Sequence, residues 1–236
     1  MQLADGVRLG TAQGFMPITT LPFYILVGVT GVGKTTTLEA LRAEGVTFSS
    51  LPDRRKITDA AIFGGEVVKD REARFAKTAA YRQAHPGGMA EALEQVYVQL
   101  PEPILFDGLR GLNEVQHAAT VFPKARFIVL DAPDIVRVER LLGRGDKFDS
   151  VQRTSLRQIT GLERIFSPEE IVRLEQNPHP ELGEKVKIVV TERQNYNPKT
   201  TNAFLQSLEG NRVLYLDTTL EPPAQIALRI KHWMQR

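Results

Sequence analysis

The chain has 236 residues, of which 42% are hydrophobic and 25% are charged, a balance typical of a globular domain with a full core. The 30 basic and 28 acidic side chains leave a net charge of +2, which argues against a whole-protein field that attracts nucleic acid. The absence of cysteine excludes disulfides, thiol catalysis and cysteine metal sites. No apolar run approaches the roughly 18 residues of a membrane span and no signal-peptide pattern opens the sequence, so we expect a cytoplasmic protein without a membrane partner.

Residues 1–20 show no hydrophobic period and contain several glycines, and we predict a lightly packed N-terminal extension. Residues 21–236 are predicted to form a single domain, because short apolar runs alternate there with helical patterns. Each run is a predicted strand, and the runs are residues 23–27, 46–48, 104–106, 127–130, 186–190 and 213–216. Strands with few charges, separated by helices, indicate an α/β fold with a mostly parallel sheet of five or six strands and helices on both faces.

Two stretches, residues 52–99 and 143–184, are longer than this alternation requires and carry helical patterns. Ser167-Pro-Glu-Glu170 in the second stretch has the form of a capping box with proline at the first helical position. Insertions at the carboxyl ends of parallel strands usually cover ligands, so we expect both stretches to flank a binding site.

The first predicted strand runs directly into Gly28-Val-Thr-Gly-Val-Gly-Lys34-Thr35, which matches G-x-x-x-x-G-K-[ST], the P-loop, without a gap. Glycines allow the backbone N–H groups to approach phosphate oxygens, and the following helix directs its positive end at the same anion. Lys34 would reach the β- and γ-phosphates of ATP, and the Thr35 hydroxyl would bind Mg²⁺. The nucleotide-binding residues that we predict are Gly28, Thr30, Gly31, Val32, Gly33, Lys34, Thr35 and Thr36.

An aspartate, Asp107, ends the apolar run 104–106. In P-loop proteins an acid at this place holds Mg²⁺, usually through water, and we predict this role for Asp107. The alternative is a turn or cap before Gly108, since strands often end in this way. Asp131 is a rival acid on the next strand, but it precedes Ala-Pro, which favours a turn or cap.

Three segments resemble the adenylate kinase and nucleoside monophosphate kinase superfamily. The P-loop is the first. The second, Asp107-Gly-Leu-Arg110, is similar to Asp-Gly-Phe-Pro-Arg of adenylate kinases and to Asp-Gly-Ile-Arg of dephospho-coenzyme-A-kinase-like archaeal proteins. The third runs from Asp131 to Arg144 and resembles the strand and helix that lead into an adenylate kinase lid. The resemblance implies that Arg110 contacts the acceptor's phosphate and that Arg140 and Arg144 contact the transferred phosphoryl group.

By the same resemblance, residues 52–99 would lie on the acceptor side and residues 143–184 on the lid side. The chain departs from long-form adenylate kinases, because it lacks both a full lid domain and a cysteine zinc cluster. Residues 52–99 carry no motif of a known acceptor. At their start, Asp53 is a candidate general base, or alternatively a turn residue after proline. Arg54 and Arg55 are candidate contacts for an anionic acceptor.

Arg137, Arg140 and Arg144 fall at helical spacing and share one predicted face. Arginines stabilise the charge that spreads over a transferred phosphoryl group, which agrees with the roles implied for Arg140 and Arg144. For Arg137 we favour a solvated basic face. Residues 191–197 follow the predicted strand 186–190 as a polar loop. The resemblance to kinases places adenine near this connection, so Arg193 or Asn195 is a candidate contact, and the alternative is a polar turn into a helix that starts at Pro198.

These features together predict an ATP- and Mg²⁺-dependent phosphotransferase, a P-loop kinase, that transfers the γ-phosphoryl group to a small-molecule acceptor. A nucleotide or nucleoside is the favoured acceptor class. The alternatives are a kinase that acts on RNA ends or modifies tRNA, with Arg54, Arg55 and Lys56 as contacts, and a P-loop NTPase or switch without an acceptor. The oligomeric state is left open.

Overall fold

The structure, a computed structural model, describes residues 1–101, 103–143, 155–208 and 210–236. Its strands are β1 (Gln2–Ala4), β2 (Val7–Leu9), β3 (Met16–Pro17), β4 (Phe23–Val27), β5 (Ser49–Ser50), β6 (Val96–Val98), β7 (Ile104–Phe106), β8 (Ala125–Asp131) and β9 (Val213–Asp217). Its α-helices are α1 (Lys34–Ala43), α2 (Arg54–Ile57), α3 (Arg71–Ala84), α4 (Met89–Glu94), α5 (Leu112–Val121), α6 (Asp134–Leu142), α7 (Pro168–Glu175), α8 (Leu182–Tyr196), α9 (Pro198–Gln206) and α10 (Pro223–Met234).

A five-stranded sheet in the order β5-β7-β4-β8-β9 forms the centre of the fold, and all of its pairings are parallel. On one face, α1 and α10 bury Leu41, Ile226 and Ile230 against the sheet. On the other face, α4, α5 and α9 form a second core with the opposite side of the strands. Because parallel strands need crossover helices, which cover both faces, the inner strands β7, β4 and β8 are mainly buried apolar runs. The predicted three-layer P-loop fold is confirmed.

A second sheet, antiparallel and four-stranded, has the order β1-β2-β6-β3. Its strands come from residues 2–17 and from β6, which lies just before β7. Leu3, Val7 and Ile18 are buried in the same core as β4 and β7. The expectation of a lightly packed extension over residues 1–20 is therefore wrong. Strands this short leave little period in the sequence, and their main partner β6 lies about eighty residues further along the chain.

The predicted strand over residues 186–190 is also wrong, because these residues lie inside α8. Val186, Val189 and Val190 are buried against α6 and the neighbouring Phe166 and Leu174. A helix whose apolar stripe contains adjacent valines resembles a buried strand over a window of five residues. The short strand predicted at residues 46–48 lies slightly later, at Ser49–Ser50.

The described parts of residues 52–99 and 143–184 are mainly helical, as expected. The first contains α2, a π-helical turn (Thr58–Ile62), α3 and α4, and it ends in β6. The second contains 3₁₀ turns, α7 and the start of α8. The capping box at Ser167 is present, with its hydroxyl accepting from the Glu170 N–H. Within the described parts of the chain, no helix has both the length and the hydropathy to cross a bilayer.

Candidate active site

The P-loop joins β4 to α1 at the carboxyl edge of the central sheet. Gly31 and Gly33 have positive φ angles of 86° and 95°, which glycine adopts without strain. The loop packs so closely against α6 that a Cβ atom on Gly31 would lie 3.0 Å from the Arg137 carbonyl oxygen. No side chain caps the first turn of α1, whose N-cap is Gly33. The N–H groups of this first turn, at the positive end of the α1 dipole, are thus available to bind an anion.

A cavity of about 220 Å³ opens beside this loop. The loop side contributes Thr30, Gly31, Lys34 and Thr35, and the opposite side contributes four polar or flexible positions after β5 and β7: Arg54, Asp107, Gly108 and Arg110. The structure thus brings together predicted residues that are separated by more than fifty positions in the sequence. They meet because β5, β7 and β4 are parallel neighbours whose carboxyl ends share one edge.

Lys34 and Asp107 face each other in this cavity. The Lys34 ammonium donates a hydrogen bond to the Gly28 carbonyl oxygen at 2.6 Å and lies 3.7 Å from the Asp107 carboxylate. Burial lowers the pKa of Lys34 and raises the pKa of Asp107, and their mutual attraction offsets only part of either shift. A bound anion beside Lys34 and a cation beside Asp107 would each restore the charged form.

The residues present fit a magnesium nucleotide. The uncapped first turn of α1 and Lys34 supply donors for phosphate oxygens. The Thr35 side chain is exposed in that turn and shares the cavity with Asp107, so a hydroxyl oxygen and a carboxylate oxygen are both available as metal ligands. Oxygen ligands of this kind are the ones that Mg²⁺ prefers.

Arg54 is held by a buried acid that the sequence analysis did not identify, Glu114 on α5. The guanidinium makes two hydrogen bonds to the carboxylate, at 2.6 and 2.5 Å, and a third to the Gly108 carbonyl oxygen. Glu114 is only 4% exposed and also accepts from the N–H groups of Arg110 and Met89. Although burial acts against its charge, the pairing with Glu114 raises the pKa of Arg54. Arg54 therefore shapes the cavity wall as part of a fixed ion pair.

Arg110 reaches into the cavity with a more open side chain, 39% exposed, and its nearest acid is Glu192 at 3.9 Å. Asp53 and Arg55 do not line the cavity. The Asp53 carboxylate accepts from the Lys56 N–H and caps α2, a role that the sequence analysis did not give it. Arg55 is exposed to solvent.

The arginines of α6 have different environments. Arg140 donates to the hydroxyl and carbonyl oxygens of Thr218 and lies beside the Gly33 end of the P-loop. Arg137 is only 1% exposed, so the expectation of a solvated face is wrong for this residue. It donates to the Thr30 carbonyl oxygen and to Asp134 and Glu192. Arg144 lies outside the described residues.

Residues 191–196 belong to α8 rather than to a loop after a strand, which corrects the prediction above. Arg193 forms an ion pair with Asp134. Asp131, the rival acid, accepts hydrogen bonds from the Tyr215 hydroxyl and from Asn202. Burial and the bond to Asp131 raise the pKa of Tyr215 above its usual value. This second cluster of hydrogen bonds joins β8, β9 and α9, which supports a structural role for Asp131.

Glu114 and Glu192 are the two contacts with the site that sequence reasoning missed. Both are single acids within helices, and nothing in their local pattern separates them from other acids of the chain. A helical reading of residues 186–193 would have placed Glu192 on the same element as the buried valines. No sequence signal would have shown that its partner is the P-loop, more than 160 positions earlier.

Several solved structures resemble this one but differ from it widely in sequence. A gluconokinase from Sinorhizobium meliloti 1021 is 15% identical, with 91% of this chain and 92% of that chain covered and a TM-score of 0.38. A shikimate kinase from Aquifex aeolicus is 14% identical, with coverage of 90% and 96% and a TM-score of 0.39. A sulfotransferase from Alicyclobacillus acidocaldarius is 13% identical, with coverage of 91% and 81% and a TM-score of 0.46. At these scores none of the three bears on the activity of this chain.

No curated protein sequence matches the chain. A family model described as an AAA domain matches residues 25–161, which is more than half of the sequence. The matched region begins within β4, includes the whole P-loop and continues through Asp107, Arg110 and α6. The family match and the parallel sheet agree with the prediction of a P-loop nucleotide-binding fold. This chain belongs to the AAA domain family.

Proposed function

We propose that this protein is an ATP- and Mg²⁺-dependent phosphotransferase that transfers the γ-phosphoryl group to a small-molecule acceptor, most plausibly a nucleotide. One observation carries the proposal. The cavity that contains the P-loop residues Lys34 and Thr35 also contains Asp107 and Arg110 on its far wall. A triphosphate held by the loop would thus face the Arg110 guanidinium across the same cavity, where an acceptor can lie in line with the γ-phosphorus.

Each of these residues has a part in the proposed reaction. The N–H groups at the start of α1 and the Lys34 ammonium bind the triphosphate and stabilise its charge. Thr35 and Asp107 would hold Mg²⁺, which supplies neutralisation of phosphate charge when bound. Arg110 binds and orients the acceptor. An acceptor oxygen forms the new bond to the γ-phosphorus as the bond to the β–γ bridging oxygen breaks, and ADP leaves.

The environment of Asp53 favours a phosphate acceptor over a hydroxyl. A nucleotide phosphate is largely ionised at pH 7, because its second pKa is about 6, so its oxygen can attack without a general base. A hydroxyl would need a base. The candidate base Asp53 caps α2 and does not line the cavity. Arg110, in contrast, is placed to pair with an anionic group.

An RNA end is the second candidate acceptor. The exposed side chains of Arg55 and Lys56 lie on α2, next to Arg54 in the cavity wall. They could pair with the backbone phosphates of a strand whose end enters the cavity. Binding through such contacts would weaken steeply with salt.

The test is a transfer assay with γ-labelled ATP and Mg²⁺ against nucleoside monophosphates, nucleosides, dephospho-coenzyme A and short 5′-hydroxyl RNAs. We expect label in a nucleoside monophosphate with the wild type. Lys34→Ala should lower the transfer rate by about 10²-fold or more, because a charge-stabilising group is lost. Lys187→Ala, at an exposed lysine of α8, serves as the matched control and should retain full activity.

Other results would change the assignment. Label in RNA, with binding that falls steeply between low and moderate salt, would favour the second candidate. Label released only as inorganic phosphate across the whole panel would contradict the phosphotransferase and favour an NTPase. Full activity of Lys34→Ala would contradict the role of the P-loop itself.

A further inference from the structure

Glu192, near the end of α8, is bound to the outer turn of the P-loop. One carboxylate oxygen accepts from the Thr30 N–H at 3.0 Å, and the other accepts from the Thr30 hydroxyl at 2.5 Å. The same carboxylate accepts from Arg137, and its side chain is only 9% exposed. Thr30 lines the nucleotide cavity. Its backbone N–H and its hydroxyl, however, both donate to Glu192, a residue of α8.

Arg137 completes the attachment from the side of α6. Its Nε atom donates to the Thr30 carbonyl oxygen at 2.8 Å. All three polar groups of Thr30, namely the N–H, the hydroxyl and the carbonyl, are therefore held by side chains of α6 and α8. The close approach of Gly31 to the Arg137 backbone fixes the next residue of the loop against the same helix. The outer turn is thus determined by tertiary contacts as well as by its own glycines.

The charges around Thr30 form one network, in which the Arg110 guanidinium also takes part at 3.9 Å from Glu192. Arg137 pairs with Glu192 and Asp134, and Asp134 pairs with Arg193. Burying such charges is costly, and they rarely contribute net stability compared with apolar side chains, but the loss of one leaves its partners uncompensated. These buried ion pairs fix a single geometry where the P-loop, α6 and α8 meet. Both helices adjoin the lid-side residues 143–184.

We propose that Glu192 is a positioning residue for nucleotide binding and phosphoryl transfer. Acting through Thr30, it holds the outer turn of the P-loop so that Lys34 and the first turn of α1 face the triphosphate. The inference rests on the proposed function as an ATP-dependent enzyme. It also makes the shape of the P-loop depend on α8, so that the lid-side part of the chain contributes to the nucleotide site without touching the nucleotide.

The test compares Glu192→Gln with Val189→Ala, which truncates a buried valine on the same helix without a contact to the P-loop. We measure Mg–ATP affinity by calorimetry, kcat and the acceptor KM, and the melting temperature. Both variants should melt earlier. Only Glu192→Gln should bind Mg–ATP about tenfold more weakly and lose up to about 10²-fold in kcat, since misplacement of a catalytic loop by about 1 Å has such an effect. The acceptor KM reports separately on Arg110, whose guanidinium lies 3.9 Å from Glu192.

Thr30→Val provides a milder second variant, because it removes only the hydroxyl bond to Glu192. It should reduce Mg–ATP affinity in the same direction but by less, and its effect should largely disappear in the Glu192→Gln background. Glu192→Asp keeps the charge on a shorter side chain and should recover part of the lost kcat. Independent, additive effects of Thr30→Val and Glu192→Gln would overturn the proposal.

Hydrogen exchange of the backbone amides of residues 30–34 separates this inference from the proposed function. Exchange in the nucleotide-free protein should be faster in Glu192→Gln than in both the wild type and Val189→Ala. If the wild type fails to bind ATP, the proposed function fails, while exchange still reports whether Glu192 holds the loop. If Glu192→Gln melts earlier but retains wild-type exchange, Mg–ATP affinity and kcat, the role of Glu192 is structural and the inference is refuted.

Discussion

Replacing Glu114 by Gln should destabilise the chain strongly, because one buried carboxylate holds the acceptor side together. Glu114 accepts two hydrogen bonds from Arg54 and two from the backbone N–H groups of Arg110 and Met89. Glutamine has nearly the same shape, but it removes the negative charge and turns an NH₂ group toward the Arg54 guanidinium. The variant therefore tests the charge rather than the packing.

The magnitude follows from the burial of the two partners. Breaking a fully buried ion pair costs about 3–5 kcal/mol, because the remaining charge is uncompensated. The Arg54 side chain is 25% exposed and can regain part of its hydration, so we expect a loss of about 2–3 kcal/mol. For a chain of this length, each kcal/mol lowers the melting temperature by about 2–4 °C, which gives a decrease of roughly 5–10 °C.

Circular dichroism at 222 nm during heating and in urea would measure this loss. The double variant Glu114→Gln/Arg54→Gln is the matched control, because it replaces the ion pair by two neutral amides and should recover part of the stability. A melting temperature of Glu114→Gln equal to that of the wild type would refute the reasoning. In that case Glu114 would not be the charged partner that fixes Arg54 and the loop 107–111.

Three further predictions concern the cavity and the cluster beside it. Asp107→Asn should raise the Mg²⁺ concentration for half-maximal transfer by about 10–100-fold, as measured by metal titration at fixed ATP. An equal loss of ATP binding without metal would argue against metal coordination by Asp107. Arg110→Gln should raise the acceptor KM by about tenfold or more in steady-state kinetics, because a charge-assisted hydrogen bond is lost. A changed Mg–ATP affinity with a constant acceptor KM would contradict the acceptor role of Arg110. Burial and the bond to Asp131 raise the pKa of Tyr215, so the folded chain keeps a proton that the unfolded chain releases above about pH 10. The stability that protonated Tyr215 contributes to the fold is therefore fully present below pH 10 and decreases as the pH rises above that value. Urea denaturation of the wild type and Tyr215→Phe at pH 8 and pH 11 should show a smaller difference at pH 11, and a constant difference would contradict the shift.

The sequence could predict the central sheet and the P-loop because both are local patterns. Strands β4, β7 and β8 are largely buried on both faces and appear as apolar runs, and β9 at the sheet edge is a half-buried apolar run. The P-loop needs particular residue types at fixed spacing, so it can be recognised without knowing the fold. Asp107 was assigned to the site because P-loop proteins carry an acid at this place, and Arg110 because its segment resembles adenylate kinases.

The errors arose where the deciding contact is distant in sequence. The run 186–190 is ambiguous within its own window, and its packing against α6 makes it helical. Arg137 appears in sequence as one of three evenly spaced surface arginines. It is buried because Glu192 and Thr30 meet it from other segments. Such partners are fixed only when the tertiary fold brings them together.

The antiparallel sheet formed by residues 2–17 and β6 has a practical consequence for how the protein is produced. A shortened chain that begins at residue 21 would appear reasonable from the sequence, but it would remove β2 and β3, the two partners of β6, together with β1. The N–H and C=O groups of β6 would then form two unpaired edges, with Val96 and Val98 beside them, and such edges recruit other chains. Insoluble protein from that truncation would reflect a lost sheet, and tags or fusions are better attached at the C-terminal end of α10.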